Sequence, residues 1–297
     1  MTAGLPPEDW PGRAFSRIVP CAPHRWHVQI RGEGPDLLLL HGAGASLHSF
    51  YKIVPELARD FRVIAVDLPG HAYTKSPRGR TRLPQVAADI AALVTQEGWQ
   101  PKAIIGHSAG AAIALQLQLD GSLSADRLVV INGALENFEG TAGWLFPILA
   151  RAMALNPLTA FMIAHAAVPI TQVRGIIKSA GSVLPEEDLQ LYARLIGNRR
   201  HVDGALSMMA QWSLDALGAA LPRVDVPVLM LHGEKDGAVP IKVAERVAEA
   251  LPRARLEILP GVGHIAQEEA PERVAEALDR FLAPVRDPRN ETAPQKE

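Results

Sequence analysis

Short apolar runs recur along this chain, and most are followed by a stretch with helical spacing. "DLLLL", "FRVIAV", "AIIGHS", "RLVVIN", "VPVLML" and "ARLEIL" each carry adjacent apolar side chains. That is the pattern of a strand covered on both faces. Before them, "WHVQIRGEGP" alternates and ends in a Gly/Pro turn. Helical patterns follow at 86–94, stopping near Gly98, and at 110–119, 244–251 and 271–281. Strands that need cover on both faces, alternating with helices able to cover them, predict an α/β fold. Its sheet is doubly wound and mostly parallel.

The rhythm stops between 134 and 222, where no strand pattern occurs. The reading is a helical cap over 135–220, inserted into a core made of 1–134 and 221–283. The polar, Pro-containing stretch 284–297 reads as a disordered tail. Between residues 139 and 174 the only charge is Arg151. Asn156, Pro157, His165, Pro169 and Gln172 interrupt that segment, so no clean run long enough to span a bilayer survives. A buried or pocket-lining helical pair is expected, with a peripheral membrane contact through the cap as its other use.

At 297 residues and 48% hydrophobic content the chain has ample core for such a domain. A net charge of −2 gives no general attraction to nucleic acid. The single cysteine, Cys21, cannot form an intramolecular disulfide. The start, "MTAGLPPEDWPGRAF", lacks the apolar stretch of a signal peptide, so a cytoplasmic location is expected.

Ser108 occupies the corner between the run "AII" and the alanine-rich helical pattern, bracketed as Gly106-His107-Ser108-Ala109-Gly110. A hydroxyl is a weak nucleophile and needs a base oriented by a carboxylate. A tight strand-to-helix turn exposes it, and the helix N-terminus offers N–H groups to a developing oxyanion. The partners are expected in the chain order serine, acid, histidine. Asp236 follows the run "VPVLML", with Glu234 the poorer candidate. His264, in "GVGHIAQEE", is the one histidine after it. Asn132, at an earlier strand end, cannot act as a carboxylate.

The oxyanion donors are expected to be the N–H groups of Ala109 and of Ala43 in "HGAGAS", with Gly44 the next choice. His41 is expected to hold that loop by hydrogen bonds. Asp67 and His71 in "DLPGH" read as loop architecture. His24-x-x-His27 puts its rings on opposite strand faces rather than around a metal. Gly42-x-Gly44 lacks the third glycine of a dinucleotide fingerprint. Within the cap, Trp144, Phe146 and Phe161 are candidates to line a substrate pocket. Met208, Met209 and Trp212 fit better in its core.

With "HGAGAS", "DLPGH", "GHSAG", "GEKDGAVP" and "GVGHIAQEE", the chain resembles the α/β-hydrolase superfamily over nearly its whole length. It departs at "GHAYT", where Ala72 stands at a position that many relatives fill with glycine. A narrower resemblance, including "INGALENFEGTAGWLFPILARAMALNP" and "HVDGALSMMAQWSLDAL", is to the magnesium chelatase accessory proteins of bacteriochlorophyll biosynthesis. The superfamily's roles fall on Ser108, Asp236 and His264, with Ala43 and Ala109 as oxyanion donors. The narrower family implies work in the magnesium branch of tetrapyrrole synthesis, with a hydrophobic substrate such as a porphyrin and magnesium chelatase as a partner. The expected activity is that of a serine hydrolase of ester or related acyl bonds, which needs no metal and no organic cofactor. Two rivals stand beside it: a non-catalytic tetrapyrrole-binding or chelatase accessory protein, and an unrelated general carboxylesterase. Serine at 108 argues against epoxide hydrolase and haloalkane dehalogenase chemistry, which use a carboxylate nucleophile.

Overall fold

The computed structural model describes residues 4–137 and 169–286. Eight strands form one sheet: β1 (Ser16–Cys21), β2 (His24–Arg31), β3 (Asp36–Leu40), β4 (Arg62–Val66), β5 (Pro101–His107), β6 (Arg127–Ile131), β7 (Val228–Gly233) and β8 (Ala254–Leu259). Their order is β1-β2-β4-β3-β5-β6-β7-β8. β2 is antiparallel to both of its neighbours, and the pairs from β4 to β8 are parallel.

Alternate side chains along the central strands feed two cores, which is what a doubly wound sheet requires. On one face Leu38, Leu40, Ile64 and Val66 pack with Val86 and Ile90 of α2 (Leu83–Glu97) and Ile113 of α3 (Ala109–Leu119). On the other, Leu37, Leu39, Val63 and Ile105 meet Phe50, Ile53, Leu57 of the short α1 (Val54–Leu57) and the final helix's Val274, Leu278 and Leu282. The end of α2 follows the chain's own signal: Gly98 takes φ 66 in the left-handed region.

The edge strand β1 was not expected from the sequence. Only Val19 and Cys21 of its residues are buried, so its apolar signal is thin. The last helix runs Pro271–Arg286 and so extends past residue 283.

Between β6 and β7 the described residues hold four α-helices, a short 3-10 turn (Leu221–Arg223) and no strand. The α-helices are α4 (Ile170–Ser179), α5 (Glu186–Ile196), α6 (Arg199–Gln211) and α7 (Asp215–Ala220). Met208 of α6 is buried in the main core cluster, with Trp212 packed beside it. Trp144, Phe146 and Phe161 lie outside the described residues. Among the described residues no helix is long and apolar enough to cross a membrane.

Candidate active site

β5 ends at His107 and α3 begins at Ala109, leaving Ser108 as the whole turn. Its backbone is held at φ 51, ψ −115, a conformation that a side chain enters only under constraint. Two things impose it. Ser108 N–H donates to the Ile131 carbonyl at 2.9 Å. The bracketing glycines also let α3 come against the sheet. A Cβ on Gly110 would lie 2.0 Å from the Leu40 carbonyl oxygen, and one on Gly106 would lie 2.4 Å from that of Gly110. Larger residues at either position would push the helix off. The Ser108 side chain is left half-buried at the strand ends. Ala109 opens α3, so its N–H has no partner within the helix.

Asp236 and His264 meet here. His264 Nδ1 and Asp236 Oδ2 are 2.8 Å apart, with the carboxylate side chain fully buried. Asp236 Oδ1 accepts the N–H groups of Ala238 and Val239, each at 2.8 Å, while Oδ2 also accepts Asn132 Nδ2–H at 2.7 Å. Burial pushes this carboxyl's pKa up, but the bonds from His264, Val239 and Asn132 outweigh it and hold it below the ordinary carboxylate value. Glu234 is exposed and accepts Gly261 N–H instead, so it does not compete for His264.

His264 is tied to the serine turn through His107. His107 Nε2–H donates to the His264 carbonyl at 2.9 Å, and the two rings stand 5.0 Å apart. The Ser108 hydroxyl makes no hydrogen bond to another described residue in this conformation. Such bonds often close only when a ligand is bound.

The inserted segment supplies backbone to the same place. The Ala180 carbonyl accepts the N–H of both Gly237 and His264, each at 3.1 Å, and Ser182 Oγ accepts Ile265 N–H at 2.9 Å. One short turn after α4 therefore joins the acid loop to the histidine loop. Sequence reasoning did not foresee the roles of His107 and Ala180, and it set Asn132 aside as a non-acid without seeing that it would bond Asp236. His107 lies inside the serine motif and Asn132 at a strand end. Ala180 acts through its carbonyl, which no side-chain pattern reports.

The loop after β3 lies directly over the serine. A Cβ on Gly42 would be 3.0 Å from Ser108 Cβ. Ala45 N–H closes a turn onto the Gly42 carbonyl at 3.1 Å, with Gly44 at φ 76. His41 holds the loop as expected: Leu68 N–H donates to its Nε2 at 2.9 Å, and its Nδ1–H donates to the Gly42 carbonyl at 2.8 Å. Burial, then the neighbouring His71, push its pKa down to about 3, so the ring is neutral.

His24 and His27 go separate ways. His24 pairs with Asp89 at 2.8 Å. His27 Nδ1 contacts Asp67 at 2.7 Å, and its Nε2 contacts Ser16 Oγ at 3.0 Å. That second serine–histidine–aspartate string lacks the context for nucleophilic attack. Ser16 has ordinary extended backbone, φ −79 and ψ 138, and starts a strand rather than a helix. Asp67 also accepts the N–H groups of Leu47 and Tyr73, which makes it a loop organiser. Among the described residues no group of three or more His, Cys, Asp or Glu is arranged to hold a metal ion.

The sequence model of the alpha/beta hydrolase fold matches residues 35–271. The chain belongs to the α/β-hydrolase family. It is 43% identical to the magnesium-chelatase 30 kDa subunit of Rhodobacter capsulatus, over 89% of this chain and 93% of that protein. It is 30% identical to the pimeloyl-[acyl-carrier protein] methyl ester esterase of Vibrio atlanticus, over 80% of this chain and 90% of that one. Among solved structures, the epoxide hydrolase CorEH superposes with a TM-score of 0.77 at 22% identity, covering 91% of this chain and 99% of that one. The esterase of Exiguobacterium antarcticum gives 0.73 at 22% identity, covering 88% and 96%. These two likenesses are of fold.

Proposed function

We propose that this member of the α/β-hydrolase family is a serine hydrolase of ester or related acyl bonds, acting at the magnesium–tetrapyrrole stage of bacteriochlorophyll biosynthesis. The observation that carries the hydrolase reading is Ser108 at φ 51 on the turn between β5 and α3, beside the Asp236–His264 pair at 2.8 Å. Ser108 Oγ attacks the acyl carbon. His264 Nε2 takes the hydroxyl proton and passes it to the leaving group. Asp236 keeps the Nδ1–H tautomer and stabilises the imidazolium. The N–H groups of Ala109 and Ala43 receive the oxyanion. A water, activated by His264 in the same way, then releases the acyl group from the serine. The four α-helices between β6 and β7 belong to a cap over this site.

The test is covalent. A fluorophosphonate should modify Ser108, and Ser108→Ala should abolish the modification. A folded protein that resists every such probe sinks the hydrolase reading. The tetrapyrrole stage rests on the similarity to the Rhodobacter capsulatus chelatase subunit across 89% of the chain. The same similarity favours a second reading, a non-catalytic accessory protein that binds a porphyrin or the chelatase. Porphyrin titration read by tryptophan quenching, together with co-purification with magnesium chelatase, separates the two. Binding that survives in Ser108→Ala, with no fluorophosphonate reaction in the wild type, selects the second.

A further inference from the structure

The loop 42–45 is gripped from a direction the serine motif does not announce. His201 lies in the first turn of α6, a helix of the insertion, and is buried. Ala72 N–H donates to its Nδ1 at 3.1 Å, and its Nε2–H donates to the Gly44 carbonyl at 3.1 Å. An amide can only donate and a carbonyl can only accept, so these partners fix a neutral ring with its proton on Nε2. His41 makes the matching bridge, from Leu68 N–H to the Gly42 carbonyl. Two imidazoles thus link the loop after β3 to the loop 67–72, one on each side of Ala43. The His71 ring stands between them, 5.3 Å from each.

The Gly44 carbonyl belongs to the peptide whose N–H, on Ala45, closes the turn onto the Gly42 carbonyl. A peptide unit is planar, so holding its oxygen also aims its N–H. His201 therefore fixes the far side of the turn that presents Ala43, while His41 fixes the near side. Its own position is set by close docking of α6. A Cβ on Gly204 would lie 2.2 Å from the Gly70 carbonyl oxygen. Trp212 Nε1–H donates to the Thr81 carbonyl at 2.8 Å, and Arg78 pairs with Asp203 at 2.7 Å. Burial first, then His71 and His41, keep the ring's pKa well below the ordinary histidine value, so the bonding pattern persists into acid. Both nitrogens are engaged by backbone, which leaves no lone pair for a metal.

We infer that His201 is a positioning residue for the oxyanion loop: through the Gly44 carbonyl, the inserted helix α6 sets the aim of the Ala43 N–H. This rests on the hydrolase reading and names a control on that same site.

The experiment is fluorophosphonate inactivation of the full chain, resolved into the maximal rate and the half-saturating concentration, for wild type, His201→Phe and His201→Gln. Phenylalanine keeps the ring volume and removes both hydrogen bonds. Glutamine returns a donor to the Gly44 carbonyl. Losing an oxyanion donor outright costs about 100- to 1,000-fold, so a misaimed one in His201→Phe should slow the maximal rate about 10- to 100-fold. The half-saturating concentration should hardly move. His201→Gln should recover most of the rate. If His201→Phe does not fold, His201→Met against His201→Gln makes the same comparison, since the two are similar in volume and only one donates. A folded His201→Phe that reacts at the wild-type rate overturns the inference, as do equal losses with and without the donor. A wild type that does not react overturns the hydrolase reading instead, and this inference with it.

Discussion

His107 Nε2–H donates to the backbone carbonyl of His264 at 2.9 Å, joining the residue before the serine to the histidine loop. Burial first, then the neighbouring His264, push the pKa of the His107 ring down to about 3. It therefore stays neutral, and its buried Nδ1 has no hydrogen-bond partner among the described residues. One strong bond and one unsatisfied atom is a costly arrangement for a core, which points to the bond being worth keeping. His107→Leu removes the unsatisfied atom as well as the bond. The expected outcome is little change in melting temperature and about a tenfold fall in the rate of Ser108 phosphonylation, of the size expected when a reacting group is misplaced. Equal rates with and without the ring would show that Asp236 and the Ala180 carbonyl suffice to place His264.

Asn132 stands at φ 46, a backbone region in which asparagine is among the favoured residues, with its side-chain amide 2.7 Å from Asp236 Oδ2. Replacing it by aspartate keeps the shape and sets a second carboxylate against the first. Asp236 then loses a bond that lowers its pKa and gains a like charge that raises it. The sign follows from linkage. A carboxyl whose folded pKa is depressed adds stability at pH values above the unfolded value, and this is lost as pH falls through the folded value. Raising that folded value moves the loss toward neutrality. Asn132→Asp should therefore shift the acid limb of the melting-temperature profile upward in pH. An unshifted limb would mean that Asn132 only fills space.

Gly181 has φ +80, and a Cβ there would lie 1.7 Å from the Lys235 carbonyl oxygen. Its neighbours tie the acid and histidine loops together through the Ala180 carbonyl. Gly181→Ala combines about 1–3 kcal/mol of backbone strain with a clash against backbone that cannot rotate away. A fall in melting temperature and loss of phosphonylation are expected together. Retention of both would require the whole turn to move aside, and a crystal structure of the variant would show it.

The strands and the catalytic candidates were legible for a common physical reason. "DLLLL" and "RLVVIN" are buried on both faces, and Ser108 and Asp236 follow strands of this kind, while His264 follows the partly exposed edge strand β8; all three lie where a parallel sheet gathers its loops. β1 was not legible, because an edge strand with two buried residues leaves almost no apolar trace. Asp236 was the better candidate in the sequence, and what each carboxylate bonds separates it from Glu234. The loop roles of His41, Asp67 and His71 could be read, since each sits beside a strand end. His201 could not, because its partner is a carbonyl some 157 residues earlier in the chain. Ala72 takes φ 42, a conformation that glycine enters without strain.

Four residues after His264 lies Glu268, a buried carboxyl between α5 and the core. Its Oε1 accepts the hydroxyls of Ser49 and Tyr192, the latter at 2.7 Å, while Oε2 is buried without a hydrogen-bond partner among the described residues. Nearby, Lys52 Nζ pairs with Asp188 at 2.6 Å and donates to the Glu268 carbonyl at 3.1 Å. Tyr51 donates to the same Asp188 at 2.6 Å. Burial raises the Glu268 pKa to about 7, against the opposing bonds from Ser49 and Tyr192. The sign is opposite to that of Asp236. The folded protein holds a proton that the unfolded chain has released, so stability falls as pH rises from about 4.5 to about 7 and is then flat. Glutamine keeps the acceptor for both hydroxyls and does not titrate. Glu268→Gln should therefore melt close to the wild type at pH 4.5 and increasingly above it up to pH 7. The gain there is on the order of 3 kcal/mol by the usual conversion of a pKa shift into free energy. Thermal melts of both proteins across that range decide it. A difference that does not change with pH would mean that Glu268 carries the same charge in the folded and unfolded chain, with Lys52 holding it ionised.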